Sequence, residues 1–353
     1  MKTIGVVTIT NNGPNYGNSL QNYAVITVLK KMGFKAKTIF NNDGNHFSAI
    51  SMLKNIYCFI FQPPKYPDRT RLIKTFFFRK QYLNCTAKVK KKSYMLRNNC
   101  FDYYVVGSDQ VWNPYFKCNS IHLPYLFLQF TKPEKRIAYS ASFGVDSIPE
   151  QYMHKFGMWL KEFKAISVRE KKGLEILKEM GKDGELVIDP TMMLDADEWN
   201  RIAVKPKQVD CDCSYILTYF LGERTKKIDD YIKSISNGNC VYNLLDKAQP
   251  LVSKAGPREF LYLISHAQLI CTDSFHACVF SFIYDLPFVV FERQGEKSMM
   301  SRMDTFLSTF GLNDRLYGDE FNNPYKCNYD QAKEILEEER KKAINFLRKS
   351  LDD

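Results

Sequence analysis

His276 is the residue whose type and position most directly suggest chemistry. It lies in CTDSFHACVF, where a short apolar run at 269–271 is followed by polar residues and then by an apolar pattern with helical spacing. This order predicts a buried strand, a turn and a helix, with His276 in the first helical turn at the carboxyl end of the strand. Free N–H groups and the helix dipole attract anions there, so an imidazole would lie beside an anion site. In the alternative interpretation, Asp273 or Ser274 is only a helix cap and His276 is a buried core residue.

A second group of polar residues follows the strand predicted at 101–106. The sequence continues there as Gly-Ser-Asp-Gln, again at the carboxyl end of a buried strand, and a tryptophan and an asparagine come next. An aromatic ring beside an amide is suited to binding one face of a sugar. The candidate residues of this segment are Ser108, Asp109, Gln110, Trp112 and Asn113.

The loop after the first predicted strand (4–9) is rich in asparagine and contains two glycines. It does not match the G-x-G-x-x-G fingerprint, so a dinucleotide site is disfavoured. Its backbone N–H groups and amide side chains, among them those of Asn15 and Asn18, are suited to holding a sugar or a phosphate. A purely structural turn is the competing interpretation. The helix that follows is predicted over 20–32.

The order of the remaining elements predicts how these residues are positioned. Strands and helices alternate, and the strands predicted at 136–144, 165–168 and 185–189 end in polar residues, including Arg169. This alternation is typical of parallel, doubly wound sheets, whose strand ends share one rim. Residues 196–213 lack this alternation of strands and helices. We therefore predict an α/β protein with two Rossmann-like domains, at 1–195 and 214–353, joined by a linker at 196–213. A long amphipathic helix is predicted at the end, over 330–351.

The composition limits the classes of partner. The chain has 353 residues, of which 45% are hydrophobic and 14% aromatic, enough for two cores. A formal net charge of +11 points to acidic partners, such as phosphorylated substrates, anionic lipid surfaces or nucleic acid. Nucleic acid is disfavoured because no binding module is recognisable and the basic residues are spread along the chain.

The densest basic region is 65–97, where lysines and arginines alternate with aromatic residues such as Phe76, Phe77 and Phe78. This mixture suits the edge of an anionic membrane. The interpretation that we prefer is a solvated helix whose aromatic face packs inward. The sequence contains neither an apolar run of about 18 residues nor a signal-peptide pattern. We therefore expect a cytoplasmic protein, with at most peripheral contact at the inner face of the cell membrane.

The cysteines and the acidic clusters give no metal site. Cys58, Cys271 and Cys278 lie in apolar surroundings and are expected to be core residues in a reducing compartment. Cys211 and Cys213 form the one close pair, and nothing around them completes a zinc site. The acidic clusters at 195–198 and 210–212 are interpreted as surface turns.

Taken together, these segments resemble the polysaccharide pyruvyl transferase family. The resemblance implies a glycosyltransferase-B-like fold, with the site in the cleft between an acceptor-side first domain and a donor-side second domain. The matching segments, in the order of the family, are NYGNSLQNYA (15–24), VVGSDQVWNP (105–114), RIAYSASFG (136–144), ISVREKKGLEIL (166–177), VIDPTMML (187–194) and 256–291.

The resemblance also implies the reaction. An enolpyruvyl group moves from phosphoenolpyruvate to a sugar of a bacterial polysaccharide, such as a capsular or exopolysaccharide of the cell envelope, or of its lipid-linked precursor, and forms a pyruvate ketal. Such a reaction needs a general acid, a base and anion clamps, and no metal or cofactor besides the donor. His276 occupies the position of the family's histidine and is expected to be the acid or base, or to contact the phosphate. Arg169 is expected to be a clamp, and Arg302 is a second candidate. The expected acceptor-binding residues are Asn15, Tyr16, Gly17, Asn18, Gln21, Ser108, Asp109, Gln110, Trp112 and Asn113.

One position departs from the family pattern. Many members have an arginine two residues before the histidine, where this chain has Ser274. Arg169, Arg293 or Arg302 would then supply the missing cation, and Asp273 and Ser274 are counted with the donor side.

Two alternatives stay open at this point. A nucleotide-sugar-dependent glycosyltransferase can have the same architecture, because a fold does not determine its chemistry. The serine at 274 is also compatible with a non-catalytic relative that binds a glycan or an anion. The sequence does not specify the acceptor sugar or the oligomeric state.

Overall fold

The computed structural model describes residues 1–9, 15–39, 67–83, 100–116, 123–207, 209, 213–293, 300–318 and 323–351, with single residues between 53 and 61. Within them, the strands form one sheet of six and one of four. The strands of the first sheet are β1 (Thr3–Val7), β2 (Lys35–Thr38), β3 (Tyr103–Gly107), β4 (Arg136–Ala141), β5 (Ala165–Val168) and β6 (Glu185–Leu186). The strands of the second sheet are β7 (Tyr215–Tyr219), β8 (Cys240–Asn243), β9 (Leu269–Thr272) and β10 (Phe288–Val290).

Helices connect and cover both sheets. In the first part of the chain they are α1 (Tyr16–Lys31), α2 (Pro67–Tyr82), α3 (Glu150–Lys161), α4 (Lys171–Glu179) and α5 (Ala196–Asn200). In the second part they are α6 (Lys226–Ile235), α7 (Pro250–Ser253), α8 (Pro257–Ser265), α9 (Phe275–Ile283), α10 (Ser301–Phe310) and α11 (Asp330–Leu351).

Both sheets are parallel and doubly wound, as predicted. The strand order is β2-β1-β3-β4-β5-β6 in the first sheet and β10-β9-β7-β8 in the second. Each order reverses once, between β1 and β3 and between β7 and β9. Open α/β sheets bind ligands outside the carboxyl ends of the strands at such a switch point. The fold therefore provides two binding positions, one for each sheet.

The predicted strand-turn-helix units are present, and one helix begins earlier than predicted. Helix α1 begins at Tyr16, four residues before the predicted start, because Asn15 caps it: its side-chain oxygen accepts a hydrogen bond from the backbone N–H of Asn18 at 3.1 Å. The cap brings the polar residues 15–18 into the first helical turn at the end of β1. Residues 10–14 of the same loop lie outside the described residues.

One hydrophobic core contains residues from elements of both sheets. Tyr16 of α1 stacks on Phe260 of α8, with ring centroids 4.4 Å apart. Trp199 of α5 packs against Tyr23 at 5.5 Å and against Phe280 of α9 at 5.0 Å. Burial of these large rings is the main term that holds the two sheets against each other.

The acidic cluster 195–198 begins helix α5 instead of forming the expected surface turn. Asp195 accepts a hydrogen bond from the backbone N–H of Glu198 at 2.8 Å, and the two residues form a capping box. The segment predicted as a linker therefore contains a short helix whose Trp199 is fully buried. The other cluster, 210–212, lies outside the described residues.

The C-terminal helix α11 has the predicted bounds and connects elements of both sheets. The guanidinium of Arg340 donates hydrogen bonds to the carbonyl oxygens of Met192 at 2.7 Å and Leu194 at 3.2 Å, both near the end of the first sheet. Earlier on the helix, Lys333 pairs with Asp285 at 2.5 Å, on the side of the second sheet. The last helix therefore contacts residues next to both sheets.

Helix α2 carries the described part of the basic region. Phe78 is buried, as expected for an inward aromatic face, whereas Phe76 and Phe77 are 42% and 51% exposed. The lysines at 88–92 lie outside the described residues, and membrane contact stays a prediction. No helix in the described part of the chain is long and apolar enough to cross a bilayer.

Cys271 and Cys278 are buried, as predicted. Cys58 and Cys211 lie outside the described residues. Among the residues that are described, no group of three His, Cys, Asp or Glu side chains is placed to hold a metal ion.

Candidate functional site

A cleft of about 450 Å³ lies between the two switch points. Its volume falls in the range of about 300–1,000 Å³ that is usual for small-molecule sites. Nine of the predicted site residues line it: Asn15, Gly17, Asn18, Asp109, Gln110, Ser274, His276, Arg293 and Arg302. Residues that had not been predicted complete the lining: Ile9, Tyr115, Phe116, Tyr219, Leu221 and Phe275.

His276 lies in the first turn of α9, where the sequence predicted it. This helix is apolar on every side and is buried along its whole length, as expected for a helix in the interior. The start of α1 approaches the imidazole from the opposite side, because a Cβ added to Gly17 would lie 2.1 Å from Nδ1 of His276. Only glycine permits this approach, so Gly17 contributes by its small size and fixes the position of the ring.

The imidazole of His276 is neutral at neutral pH. Burial lowers the pKa of His276 to about 4, and the positive charges of Arg169 and Arg302 oppose the raising effect of Asp189 and Asp109. Among the described residues, Nε2 of His276 has no hydrogen-bond partner, although the side chain is only 10% exposed. This nitrogen faces Asp189 behind the cleft, at 3.9 Å, and the imidazole forms part of the cleft lining.

A buried ion pair lies behind the cleft. Nη1 of Arg169 contacts Oδ2 of Asp189 at 2.5 Å, and both side chains are fully buried. Ser108 donates a hydrogen bond to the same oxygen at 2.8 Å, and Thr191 donates to the other through its hydroxyl at 2.7 Å. Burial alone would raise the pKa of Asp189, but Arg169, His276 and Thr191 hold it well below its ordinary value.

This pairing corrects two predictions. Arg169 does not line the cleft, so it cannot clamp a donor there without losing Asp189. Ser108 is also fully buried and holds the ion pair, instead of facing an acceptor. Both residues support the site from behind.

Asp109 presents a carboxylate to the cleft from the first switch point. Its backbone has a φ of 64°, in the left-handed region, and Ser108 before it has a φ of 36°. Its oxygens accept hydrogen bonds from Nδ2 of Asn18 at 3.0 Å and from the backbone N–H of Gln110 at 2.8 Å. Burial raises its pKa, but Arg169, His276 and Arg302 outweigh this effect, so the pKa of Asp109 is below its ordinary value. The side chain is therefore an anion that can accept hydrogen bonds from sugar hydroxyls.

Arg302 is a buried cation in the wall of the cleft. In the part of the chain that the structure describes, no carboxylate lies within ion-pair distance of its guanidinium, and its Nε has no hydrogen-bond partner. Gln110 accepts hydrogen bonds from its two terminal nitrogens, at 2.6 and 3.2 Å, when the Gln110 amide oxygen faces it. The guanidinium also lies over the ring of Phe275, 5.8 Å from the centroid. Burial and the nearby Arg169 lower the pKa of Arg302 to about 10, which leaves it charged.

Arg293 and Asp273 have a structural role at the second switch point. Asp273 accepts hydrogen bonds from the backbone N–H groups of Leu221 and Gly222, both at 2.7 Å, and so joins the end of β9 to the loop after β7. Nε of Arg293 lies 3.3 Å from the same carboxylate. Asp273 is thus not free to bind a donor, which corrects that prediction, whereas Arg293 and Ser274 still reach the cleft.

The remaining acceptor predictions are wrong for Trp112, Tyr16 and Gln21. Trp112 is fully buried, stacks on Phe127 and donates from its indole nitrogen to the carbonyl of Leu126, so it offers no face to a sugar. The Tyr16 hydroxyl donates to the carbonyl of Ala255 at 2.9 Å inside the shared core. Gln21 is buried and donates to the Thr8 hydroxyl at 2.9 Å.

Asn113 is also buried, and it shapes the turn that follows it. Its side-chain oxygen accepts a hydrogen bond from the backbone N–H of Tyr115 at 2.9 Å. The ring of Tyr115 is thereby placed in the cleft wall with 52% of the residue exposed, next to Phe116. The aromatic surface expected from Trp112 is therefore supplied by the two residues that follow the turn.

The comparisons with known proteins identify the family of the chain. A sequence model of the polysaccharide pyruvyl transferase family matches residues 15–295. The chain belongs to this family. It is therefore a transferase of the kind that modifies polysaccharides, although none of the curated proteins matches it in a sequence comparison.

Solved structures with the same fold come from distant proteins. HepE of Anabaena, in complex with UDP and glucose, has 8% identity and a TM-score of 0.50, over 99% of this chain and 98% of that one. An α-glucosyltransferase in complex with UDP has 9% identity and a TM-score of 0.49, over 99% and 96% of the two chains. At this level of identity the likeness to HepE shows the fold alone. Together with the two parallel sheets, it establishes for this family member the predicted glycosyltransferase-B arrangement of two Rossmann-like domains.

Proposed function

We propose that the protein transfers an enolpyruvyl group from phosphoenolpyruvate to a sugar of a polysaccharide or of its lipid-linked precursor, and forms a pyruvate ketal. The observation that carries the proposal is the composition of the two cleft walls. One wall presents a buried arginine, Arg302, which has no carboxylate partner among the described residues, and the imidazole of His276. The other wall presents a carboxylate, Asp109, beside an exposed aromatic ring.

The donor is suited to the first wall. Phosphoenolpyruvate carries a phosphate and a carboxylate, and charge-assisted hydrogen bonds from a guanidinium are the strongest that a protein can offer such groups. Among the described arginines that line the cleft, Arg302 has no carboxylate partner and Arg293 is paired with Asp273, so Arg302 is the anchor that we assign in place of the arginine missing at Ser274. The N–H groups at the start of α9, around Phe275, add partial positive charge at the same place.

The proposed reaction uses His276 as the proton donor. Transfer of its proton to the methylene carbon of phosphoenolpyruvate makes the neighbouring carbon electrophilic, and a sugar hydroxyl then adds to that carbon and gives up its proton. Departure of phosphate, which takes one proton as hydrogen phosphate, lets a second hydroxyl of the same sugar add and close the ketal. The two hydroxyl protons end on the new methyl group and on phosphate, so the equation balances.

The acceptor is suited to the second wall. The Asp109 carboxylate is held by Asn18 and by the N–H of Gln110, and it can accept a hydrogen bond from a sugar hydroxyl. The rings of Tyr115 and Phe116 provide an apolar surface for the face of the sugar. A cleft of about 450 Å³ has room for a sugar beside the small donor.

The test measures donor binding and phosphate release separately. Phosphoenolpyruvate should raise the melting temperature by mass action, whereas a nucleotide sugar such as UDP-glucose should not. With a panel of sugar acceptors, phosphate should be released from phosphoenolpyruvate, and His276→Ala should lower the rate by about 100-fold or more. His154→Ala is the matched control, since His154 is an exposed residue of α3. Stabilisation by the nucleotide sugar and not by phosphoenolpyruvate would instead support the glycosyltransferase alternative.

A further inference from the structure

The proton that His276 would deliver is not present in the empty cleft. Nε2 of His276 lies 3.9 Å from Oδ2 of Asp189, which is too far for a hydrogen bond. That oxygen already accepts hydrogen bonds from Arg169 and Ser108. Asp189 is therefore committed to Arg169, and it does not hold a proton on the imidazole as an aspartate does in a catalytic triad.

Charges of both signs face the imidazole from every side. Asp189 and Asp109 act on it from the first sheet, together with Arg169, and Arg302 acts on it from α10. The two carboxylates favour the charged imidazole and the two guanidinium groups oppose it, but the cost of burying a charge is the largest effect, so the neutral form is favoured. An additional anion in the cleft, next to the imidazole, would favour the charged form.

We propose that His276 takes up a proton from solvent as the anionic donor binds, so that the donor itself creates the acid that later protonates its methylene carbon. The inference rests on the proposed function. Water or buffer supplies the proton, the imidazole receives it, and the phosphate or carboxylate of the donor provides the negative charge that stabilises the imidazolium. The Arg169–Asp189 pair is the positioning element, because it keeps Asp189 from charging the imidazole before the donor arrives.

The size of the effect is sufficient. An opposite charge within about 4–6 Å raises the pKa of a histidine by about 1–3 units. From a starting value of about 4, one or two such charges raise the pKa of His276 toward neutral pH. A general acid works best when its pKa lies near the working pH, so donor binding would activate the residue only when it is needed.

Nuclear magnetic resonance offers a direct test. The chain has five histidines, so a protein labelled with ¹³C at the histidine ring gives few signals, and the His276→Gln variant assigns the relevant one. At pH 7 without ligand, its chemical shift should be that of a neutral ring. Saturating phosphoenolpyruvate should move it toward the imidazolium value, whereas inorganic phosphate, with fewer charges, should move it less. A shift that stays at the neutral value with phosphoenolpyruvate bound overturns the proposal.

Calorimetry provides the second measurement. Phosphoenolpyruvate is titrated into the protein in two buffers with different ionisation enthalpies, and the difference in heat gives the number of protons taken up. The wild-type protein and the His154→Gln control should take up between about half a proton and one proton more than His276→Gln, since any proton on the donor phosphate is common to all three. Equal numbers in wild type and His276→Gln contradict this inference while leaving the proposed function intact. Absence of any heat or stabilisation with phosphoenolpyruvate contradicts the proposed function itself.

Discussion

Two groups of charged residues at the cleft differ in how far they are paired. Behind the cleft, after β5 and β6, Arg169 pairs with Asp189 at 2.5 Å and approaches Asp109 at 3.6 Å. In the cleft wall, Nε2 of His276 has no hydrogen-bond partner among the described residues, and Arg302 has no carboxylate within ion-pair distance there.

This difference separates residues that build the site from residues that can bind a ligand. Groups that are already paired in the empty protein contribute to the fold, and using them for a ligand would break an existing interaction. Groups that are buried and unpaired cost free energy until a ligand satisfies them. The strained backbone also belongs to the residues that build the site. It lies at Ser108 and Asp109, where the surrounding hydrogen bonds hold it. We therefore expect substitutions of the paired residues Arg169 and Asp189 to affect stability, and those of His276 and Arg302 to affect the ligand.

The largest expected effect follows from removing Arg169. Arg169→Met removes the cation that pairs with the buried Asp189 carboxylate, which costs about 3–5 kcal/mol in the free energy of unfolding. Urea unfolding should show a clearly lower midpoint for this variant. Arg302→Met is the matched comparison in the cleft wall. Its free energy of unfolding should stay within about 1 kcal/mol of the wild-type value, because no carboxylate loses an ion-pair partner. Equal losses of unfolding free energy in the two variants would show that Arg169 and Arg302 do not differ in their pairing as described.

The second expected effect concerns the contact between the switch points. Gly17→Ala places a methyl group where the imidazole of His276 now lies, since the added Cβ would be 2.1 Å from Nδ1. A displacement of about 1 Å in a catalytic group lowers the rate about 100-fold, although alanine itself favours the helix. Phosphate release from phosphoenolpyruvate measures the effect. The control is Gly157→Ala in α3, whose Cβ would meet its nearest neighbour at an ordinary 3.9 Å, and its rate should be unchanged. A fully active Gly17→Ala protein would mean that the close approach is not needed.

The third expected effect is on donor affinity. Arg302→Met removes charge-assisted hydrogen bonds worth about 1.5–3 kcal/mol, so the Kd for phosphoenolpyruvate should rise about 10- to 100-fold. Arg293→Met should have a smaller effect on the Kd, because Arg293 is already paired with Asp273. Titration calorimetry of both variants gives the order. If Arg293→Met weakens binding more than Arg302→Met, the anchor has been assigned to the wrong arginine.

The sequence predicted the elements of the second switch point and the place of His276, because local patterns determine a strand, a turn and a helix. It did not distinguish the roles of polar residues that share a strand end. Ser108 and Asp109 are neighbours in the chain, yet one is buried behind the cleft and the other faces it. Their direction depends on a left-handed backbone at both residues, which is uncommon outside glycine and which the strand pattern did not indicate.

Trp112 and Asp189 show the same limit of prediction from sequence: Trp112 was selected wrongly, and Asp189 was missed. Trp112 was expected to bind a sugar because of its type, but the large ring fills the core and the half-exposed Tyr115 takes its place. Asp189 was not selected as a site residue, although it lies at the end of a predicted strand, as Asp109 does. That position was the signal in the sequence that could have identified it. Its importance becomes visible only when β5 and β6 bring it to Arg169.

The smallest expected effect is the pH dependence of stability, and it tests the state of the unpaired wall directly. The pKa of His276 is about 4 in the folded protein, below the value of about 6.5 in an unfolded chain. Between these values the unfolded chain binds a proton that the folded chain does not, so lowering the pH favours unfolding. From pH 6.5 to 5.5, His276 should remove about 1 kcal/mol of stability, and the loss should continue toward pH 4.

The comparison between wild type and His276→Gln isolates this contribution, since the other titrating groups are common to both. Urea midpoints at pH 7.5, 6.5 and 5.5 should converge or cross as the pH falls, because only the wild-type protein has the buried neutral imidazole to lose. Saturating phosphoenolpyruvate should weaken the pH dependence in the wild-type protein, because the donor lets the folded state bind the proton as well. A constant difference in the free energy of unfolding between the two proteins at every pH would mean that His276 is charged, or solvated, before any ligand binds. The paired and unpaired groups would then differ in geometry alone.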